Sequence, residues 1–153
     1  MTADTALQWT SARLDQLRPQ DLYAALQLRS AVFVVEQSCL FLDPDGADGQ
    51  AVHLLGTRDG RLLAYARCFA PGIQYAEASI GRIATRLDAR GAGLGHQLVV
   101  QALALVQATW GLQPIRIGAQ SRLKNFYRQH GFADTGIDYV EDGIDHVQMV
   151  WTP

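Results

Sequence analysis

The segment "RGAGLG", residues 90–95, sets three glycines between a strand-like run, "ASIGRIAT" (78–85), and a long apolar helical run, 94–109. A helix that starts from such a loop exposes unpaired N–H groups at the positive end of its dipole. Glycines let the backbone come close to a ligand and take positive φ. The segment therefore reads as an anion cradle at a helix start rather than as a plain spacer. Two familiar phosphate loops do not fit. The dinucleotide fingerprint needs G-x-G-x-x-G on the first strand and an acid about 20 residues on. Here the glycines fall at 91, 93 and 95, after several strands. A Walker loop needs G-K-[ST], and Gly95 is followed by His96.

The rest of the chain alternates helix and strand signals. "QDLYAALQLRSAVFVVEQ" (20–37) opens as a helix, with Leu22, Leu26 and Val32 or Phe33 near helical spacing. "AVHLLGTR" and "RLLAYARCFA" flank Asp59-Gly60, a tight hairpin. In 94–109, Leu94, Leu98, Ala102 and Leu105 or Val106 share one face; Gly111 ends the helix and Pro114 blocks its return. "PIRIGA" (114–119) is a short strand. "SRLKNFYRQHG" (121–131) is a short helix with Ser121 as N-cap and Gly131 as stop, and "DHVQMVWT" (145–152) alternates and closes the sheet. This order predicts a mixed α/β (α+β) domain. With 153 residues, 48% of them hydrophobic, one domain over 1–153 can build its own core. No apolar run reaches the roughly 18 residues of a membrane span. The opening "MTADTALQWT" lacks the basic start and apolar stretch of a signal peptide, which predicts a cytoplasmic protein. Cys39 and Cys68 fit no metal spacing and read as buried free thiols, with a disulfide as the alternative.

Net charge is only −2, which argues against nucleic acid as a partner, but its distribution is uneven. Residues 82–132 carry seven Arg and Lys against Asp88 alone. Residues 36–48 carry Glu36, Asp43, Asp45 and Asp48 with no basic group, and 134–153 carry five acids with none. These runs read either as solvated faces or as one side for an anionic ligand and another for a cationic one.

The pattern Arg90-x-x-Gly93-x-Gly95 resembles the pyrophosphate loop of the GNAT superfamily of acyl-CoA N-acyltransferases. "IATRLDARGAGLG" resembles that family's strand and loop, and "NFYRQHGF" its Y-x-x-x-G-F element. "LQLRSAVFVVEQSCLFLDPDGAD", "GAQSRLKNFYRQHGF" and "EDGIDH" resemble the ElaA-like branch of the superfamily, over nearly the whole chain. The resemblance implies the GNAT fold, a mixed central sheet flanked by helices, and acetyl-CoA as co-substrate, with no metal. It implies cofactor contacts at Ile83, Ala84 and Thr85 on the strand and at Arg90, Gly91, Ala92, Gly93, Leu94 and Gly95 in the loop. Gln120, where the family often has Asn, and Asn125 would meet the CoA arm. Tyr127 matches the tyrosine that protonates the leaving thiolate. The partner is then a small-molecule or peptide amine, with no nucleic acid and no membrane, and a homodimer is compatible with it.

The amine must lose a proton, and Glu36, Glu77, His53 and His146 are the candidates to take it. Glu36 interrupts the apolar run "VFVVEQ". An acid there is either functional or paired, with Arg29, seven residues earlier on the same helical face, as the expected partner. His53, in a strand, reads more readily as a satisfied core histidine. Arg86, Arg122, Lys124 and Arg128 could reach CoA phosphates or simply face water. The four histidines share no ligand spacing. On the acceptor side the expected contacts are Arg29, Asp43, Glu141 and His146, around a cationic amine. Two other readings stand beside N-acetyl transfer: an acyl-CoA-binding module without turnover, and an acyl-homoserine-lactone-synthase-like acyltransferase, whose family shares an "LRxxVF"-like stretch.

Overall fold

The computed structural model describes residues 6–153, so the first five residues of the opening segment lie outside the description. Seven strands form one sheet: β1 (Gln8–Arg13), β2 (Val52–Arg58), β3 (Arg61–Phe69), β4 (Ala78–Thr85), β5 (Ile115–Gln120), β6 (Phe132–Glu141) and β7 (Ile144–Trp151). Their order is β1-β2-β3-β4-β5-β7-β6. Among the described strands, only β4 and β5 run parallel. The helices are α1 (Pro19–Arg29), α2 (Leu94–Trp110) and α3 (Lys124–Arg128).

Strand alternation divides the core between the two faces. Leu54, Ala64, Ala66, Ile117, Val147 and Met149 join Leu98, Ala102 and Val106 of α2 on one face. Leu55, Leu62 and Tyr65 meet Ala25 and Leu28 of α1 on the other. Each fully buried aliphatic side chain is worth about 1.5–3 kcal/mol. At the β2–β3 turn, Asp59 (φ 52°) and Gly60 (φ 75°) both adopt the left-handed conformation a two-residue hairpin needs.

Two strands were not expected. β1 is short, and its six residues include no buried one. β6 is mostly exposed and its register shifts between Asp134 and Asp138, so it lacks a clean period. The closing strand β7 therefore lies inside the sheet, between β5 and β6. Ser121 makes no cap; it sits within a 3₁₀ turn, Ser121–Leu123, ahead of α3.

The first helix departs from α geometry at Ser30 and continues to Glu36 as a π-helical stretch. The wider turn moves Glu36 off the face of Arg29. Arg29 points inward and is fully buried. Its Nε donates to Asp43 at 2.8 Å and its Nη1 to Asp48 at 2.8 Å. Arg67 of β3 bonds Asp45 and Asp48, and Arg82 of β4 bonds Asp43 at 2.9 Å. Three arginines from α1, β3 and β4 thus clamp the loop that carries Asp43, Asp45 and Asp48. Arg67 Nε is the one buried side-chain polar atom without a partner among the described residues.

Breaking such a buried network by removing one partner leaves uncompensated charge, so Arg29→Ala is expected to cost about 3–5 kcal/mol. Acid attacks it from the other side. Bonds from Arg67 hold Asp45 well below the usual carboxylate range. Burial pushes Asp48 upward, but bonds from Arg29 and Arg67 outweigh it and hold it low as well. A carboxylate depressed in the folded state stabilises above its unfolded pKa, about 3.9, and loses that contribution as pH falls towards its folded value. The thermal midpoint should hold down to about pH 5 and fall steeply below about pH 4, and Arg29→Ala should flatten that fall. Calorimetry across this range checks it; a flat wild-type profile would refute it.

Candidate active site

Strands β4 and β5 pair at only two positions, Ala78 with Ile115 and Ser79 with Arg116, and then diverge. The register of β3 with β4 shifts where Arg82 takes φ 48°, a bulge on β4. Beyond it the β5-facing edge of β4 is unpaired. A cleft of about 720 Å³ runs through this split, from the glycine loop at one end to the β6–β7 turn at the other.

The loop end has the geometry of an uncapped helix start, which can receive an anion. Gly91 (φ 98°) and Gly93 (φ 78°) take the left-handed conformation, and Gly93 is the N-cap of α2. No side chain caps that helix, so its first N–H groups face the cleft without side-chain partners. A Cβ at Gly95 would meet the Phe126 ring at 3.4 Å, and the missing side chain lets α3 pack against the start of α2. Arg90, Gly91, Gly93, Leu94 and Gly95 line the cleft; Ala92 lies in the loop but not on the wall. Ile83, Ala84 and Thr85 line it from the free edge of β4.

Arg90 is held by Glu36, with bonds of 2.8 and 2.9 Å, and donates to the Thr85 carbonyl at 2.8 Å. The ion pair of Glu36 is therefore with Arg90 and not with Arg29, a consequence of the π-helical turn. The bonds from Arg90 lower the Glu36 pKa, so this carboxylate is a weak base as it stands. Arg86 is paired with Asp88 at 2.9 Å and Lys124 with Asp134 at 3.1 Å, whereas Arg122 lines the cleft and meets only the amide oxygen of Gln120, at 3.1 Å. Gln120 also reaches Gln37 at 3.1 Å. Asn125 is exposed, bonded to Arg128 and off the wall.

Tyr127 lines the cleft at the α3 side and is packed edge-on against Phe126 and Phe132. Burial pushes its hydroxyl well above the ordinary tyrosine value, which keeps it protonated. A protonated hydroxyl there can donate a proton to a leaving group.

At the far end, Glu141 and His146 line the cleft. Arg29 and Asp43, expected beside them, lie beneath it instead, buried against each other. The acids at 36–48 do not leave a negative surface, because Glu36, Asp43, Asp45 and Asp48 all end on arginines. Among the described residues, Glu141 and Asp142 have no Arg or Lys partner. Two cleft tyrosines escaped the sequence reading. The hydroxyls of Tyr75 and Tyr139 meet over Gly118, where any side chain would collide with Tyr139. Tyr75 lies in a loop and Tyr139 on the unexpected strand β6, so neither carries a local signal. Both hydroxyls are raised by burial. Cys39 and Cys68 are free, and burial pushes the Cys68 thiol up to about 12. No group of three or more metal-ligating side chains occurs among the described residues. No helix there is long and apolar enough to cross a membrane.

Comparison with known proteins agrees with this architecture. Residues 44–153 match the Acetyltransferase (GNAT) domain. Protein ElaA of Escherichia coli is 39% identical over 145 residues, covering 94% of this chain and 95% of that one. An acyl-CoA N-acyltransferase from Pseudomonas aeruginosa superposes with a TM-score of 0.88 at 39% identity, over 95% and 99% of the two chains. The acyl-homoserine-lactone synthase LasI shares the fold alone, with a TM-score of 0.75 at 14% identity over 95% and 89%. With its sheet split between β4 and β5 and a relative of this identity along nearly its full length, the chain belongs to the GNAT family of acetyltransferases, beside ElaA.

Proposed function

We propose that this protein is an N-acetyltransferase that moves an acetyl group from acetyl-CoA to a primary amine by direct attack in a ternary complex. One observation carries the reading. One cleft threads the β4–β5 split, with an uncapped helix N-terminus at one end, a buried tyrosine on its wall and, at the other end, carboxylates with no Arg or Lys partner among the described residues. The pyrophosphate would lie on the N–H groups of 91–95, and the pantetheine arm along 83–85. The thioester supplies the activated acetyl group, and Tyr127 would protonate the departing sulfur. Direct attack needs no cysteine: Cys68 is fully buried, and Cys39, which lines the cleft, has its thiol 3.4 Å from the carbonyls of Gln37 and Asp142. Free buried thiols suit a reducing, cytoplasmic setting. One domain over 1–153 would hold the whole site.

The acceptor is proposed to be cationic. The acids at 36–48 are neutralised, so this rests on Glu141 and Asp142 alone. A negative rim attracts ammonium groups, and salt weakens the attraction.

Three outcomes test the reading. Gly93→Asp puts a side chain and a negative charge in a left-handed cap position, and should weaken acetyl-CoA binding at least tenfold, about 1.4 kcal/mol, by calorimetry; unchanged affinity would sink the cradle. Tyr127→Phe should leave that affinity nearly intact while lowering kcat roughly 10²-fold; an unchanged kcat makes Tyr127 a packing residue. Spermidine should be preferred over glutamate as acceptor in a CoA-release assay. The margin should shrink at high salt and with Asp142→Asn. A preference for glutamate overturns the cationic acceptor.

A further inference from the structure

We infer that His146 is the general base of the reaction, held in its working tautomer by the Ile144 carbonyl and backed by Glu141. The inference rests on the acyl-transfer reading above and supplies the group it lacks. An alkylamine at neutral pH is an ammonium ion and has no lone pair with which to attack.

Of the four side chains that could take its proton, three are already engaged. Both carboxylate oxygens of Glu36 accept bonds from Arg90. Glu77 accepts from Arg116 at 2.7 Å and lies off the cleft wall. His53 is buried, with Nδ1 on the Tyr65 hydroxyl at 2.6 Å and Nε2 on the Asp48 carbonyl at 2.9 Å.

His146 differs in which nitrogen is free. Its Nδ1 lies 2.7 Å from the Ile144 carbonyl oxygen. A carbonyl only accepts, so Nδ1 must carry the proton, and Nε2 keeps its lone pair. The neighbour of Nε2 is the Glu141 carboxylate at 3.8 Å. That is too long for a good hydrogen bond, and a carboxylate offers no proton, so the Nε2 lone pair stays free. The ring is only 8% exposed and stacks on Tyr139 at 5.2 Å, so its direction is set. In register it stands opposite Gln120 on β5 and Tyr139 on β6, and it lines the cleft that Tyr127 also lines. The charged and titratable groups around it are Glu141 and Tyr139 of β6 and Asp142 of the turn. Lys124, Asp138 and Asp145 lie around the shallow hollow next to it, Lys124 being paired with Asp134. The balance is acidic and suits a proton acceptor.

The atoms balance without an oxidant or reductant. One ammonium proton passes to Nε2 of His146. The freed lone pair forms the N–C bond to the thioester carbonyl carbon. The C–S bond breaks, its electron pair leaves on sulfur, and sulfur takes the Tyr127 proton. The second proton lost from nitrogen returns to Tyr127, and His146 releases its own to solvent.

A matched pair of acceptors tests this. Benzylamine is protonated at neutral pH and needs a base; aniline is not and does not. With acetyl-CoA as donor, His146→Asn should lower kcat/KM about 10²-fold for benzylamine and less than about threefold for aniline, with acetyl-CoA affinity and thermal midpoint unchanged. A merely structural role would lower both alike, and equal losses or no loss overturn the inference while leaving acyl transfer standing. In ¹⁵N spectra of the wild-type protein, neutral His146 should be protonated at Nδ1; protonation at Nε2 overturns it independently. If acetyl-CoA binds and neither these two amines nor spermidine is acetylated, the acyl-transfer reading itself falls, and this inference with it.

Discussion

The buried contact between Arg29 and Asp43 fixes more of this molecule than any other. It ties the end of α1 to the loop that crosses beneath the cleft, and Arg67 and Arg82 extend the tie to β3 and β4. Buried charges cost several kcal/mol each to desolvate and persist only when their partners are well placed. Here the partners come from four segments, so the network stays satisfied only if all four keep their positions. It also consumes charge. A loop whose composition reads as strongly acidic presents almost no free carboxylate to the cleft, because its acids were matched to arginines far away in sequence.

Arg82 joins this network to the opening of the sheet. A left-handed non-glycine residue costs about 1–3 kcal/mol. Arg82 bears it where β4 bulges away from β5, with its guanidinium on Asp43 and near the faces of Phe33 and Phe41. These contacts offset the strain. The split between β4 and β5 is thus anchored from below by the protein's own contacts.

Much of this order was legible in the sequence, and the reasons differ by element. The hairpin at Asp59-Gly60, strand 78–85 and helix 94–110 follow from local rules: positive-φ turn residues, alternation, a helical stripe and Gly111 as a stop. Strands β1 and β6 were missed because an exposed edge strand has no buried face to impose a period. The π-helical stretch was missed because it is a tertiary accommodation; nothing in "SAVFVVE" distinguishes it from α-helix. That single widening decided the fate of Glu36. Two α turns would have set it over Arg29, and the wider turn hands it to Arg90 instead. The glycine loop and Tyr127 were singled out through motif context and lie on the cleft wall, whereas Tyr75 and Tyr139 come together only through the register of strands far apart in the chain.

The same pairing logic gives the cleft its direction. At the loop end, Arg90 and Arg122 and the start of α2 present positive charge, with Glu36 balancing only Arg90. At the β6–β7 turn, Glu141 and Asp142 present negative charge with no Arg or Lys partner among the described residues, His146 lying 3.8 Å from Glu141. The distribution differs from the one that composition suggests, since the acidic run at 36–48 has dropped out and only the C-terminal acids remain. On the proposed reading a ligand with an anionic tail would lie with its tail on α2 and its reactive end towards β7. An ammonium group, as proposed for the acceptor, would enter from the opposite side. Each substrate would be oriented by charge before any short-range contact forms. On the proposed reading the two would meet where β4 and β5 part, inside the sheet, where the β5-facing edge of β4 has no strand partner beyond Ser79.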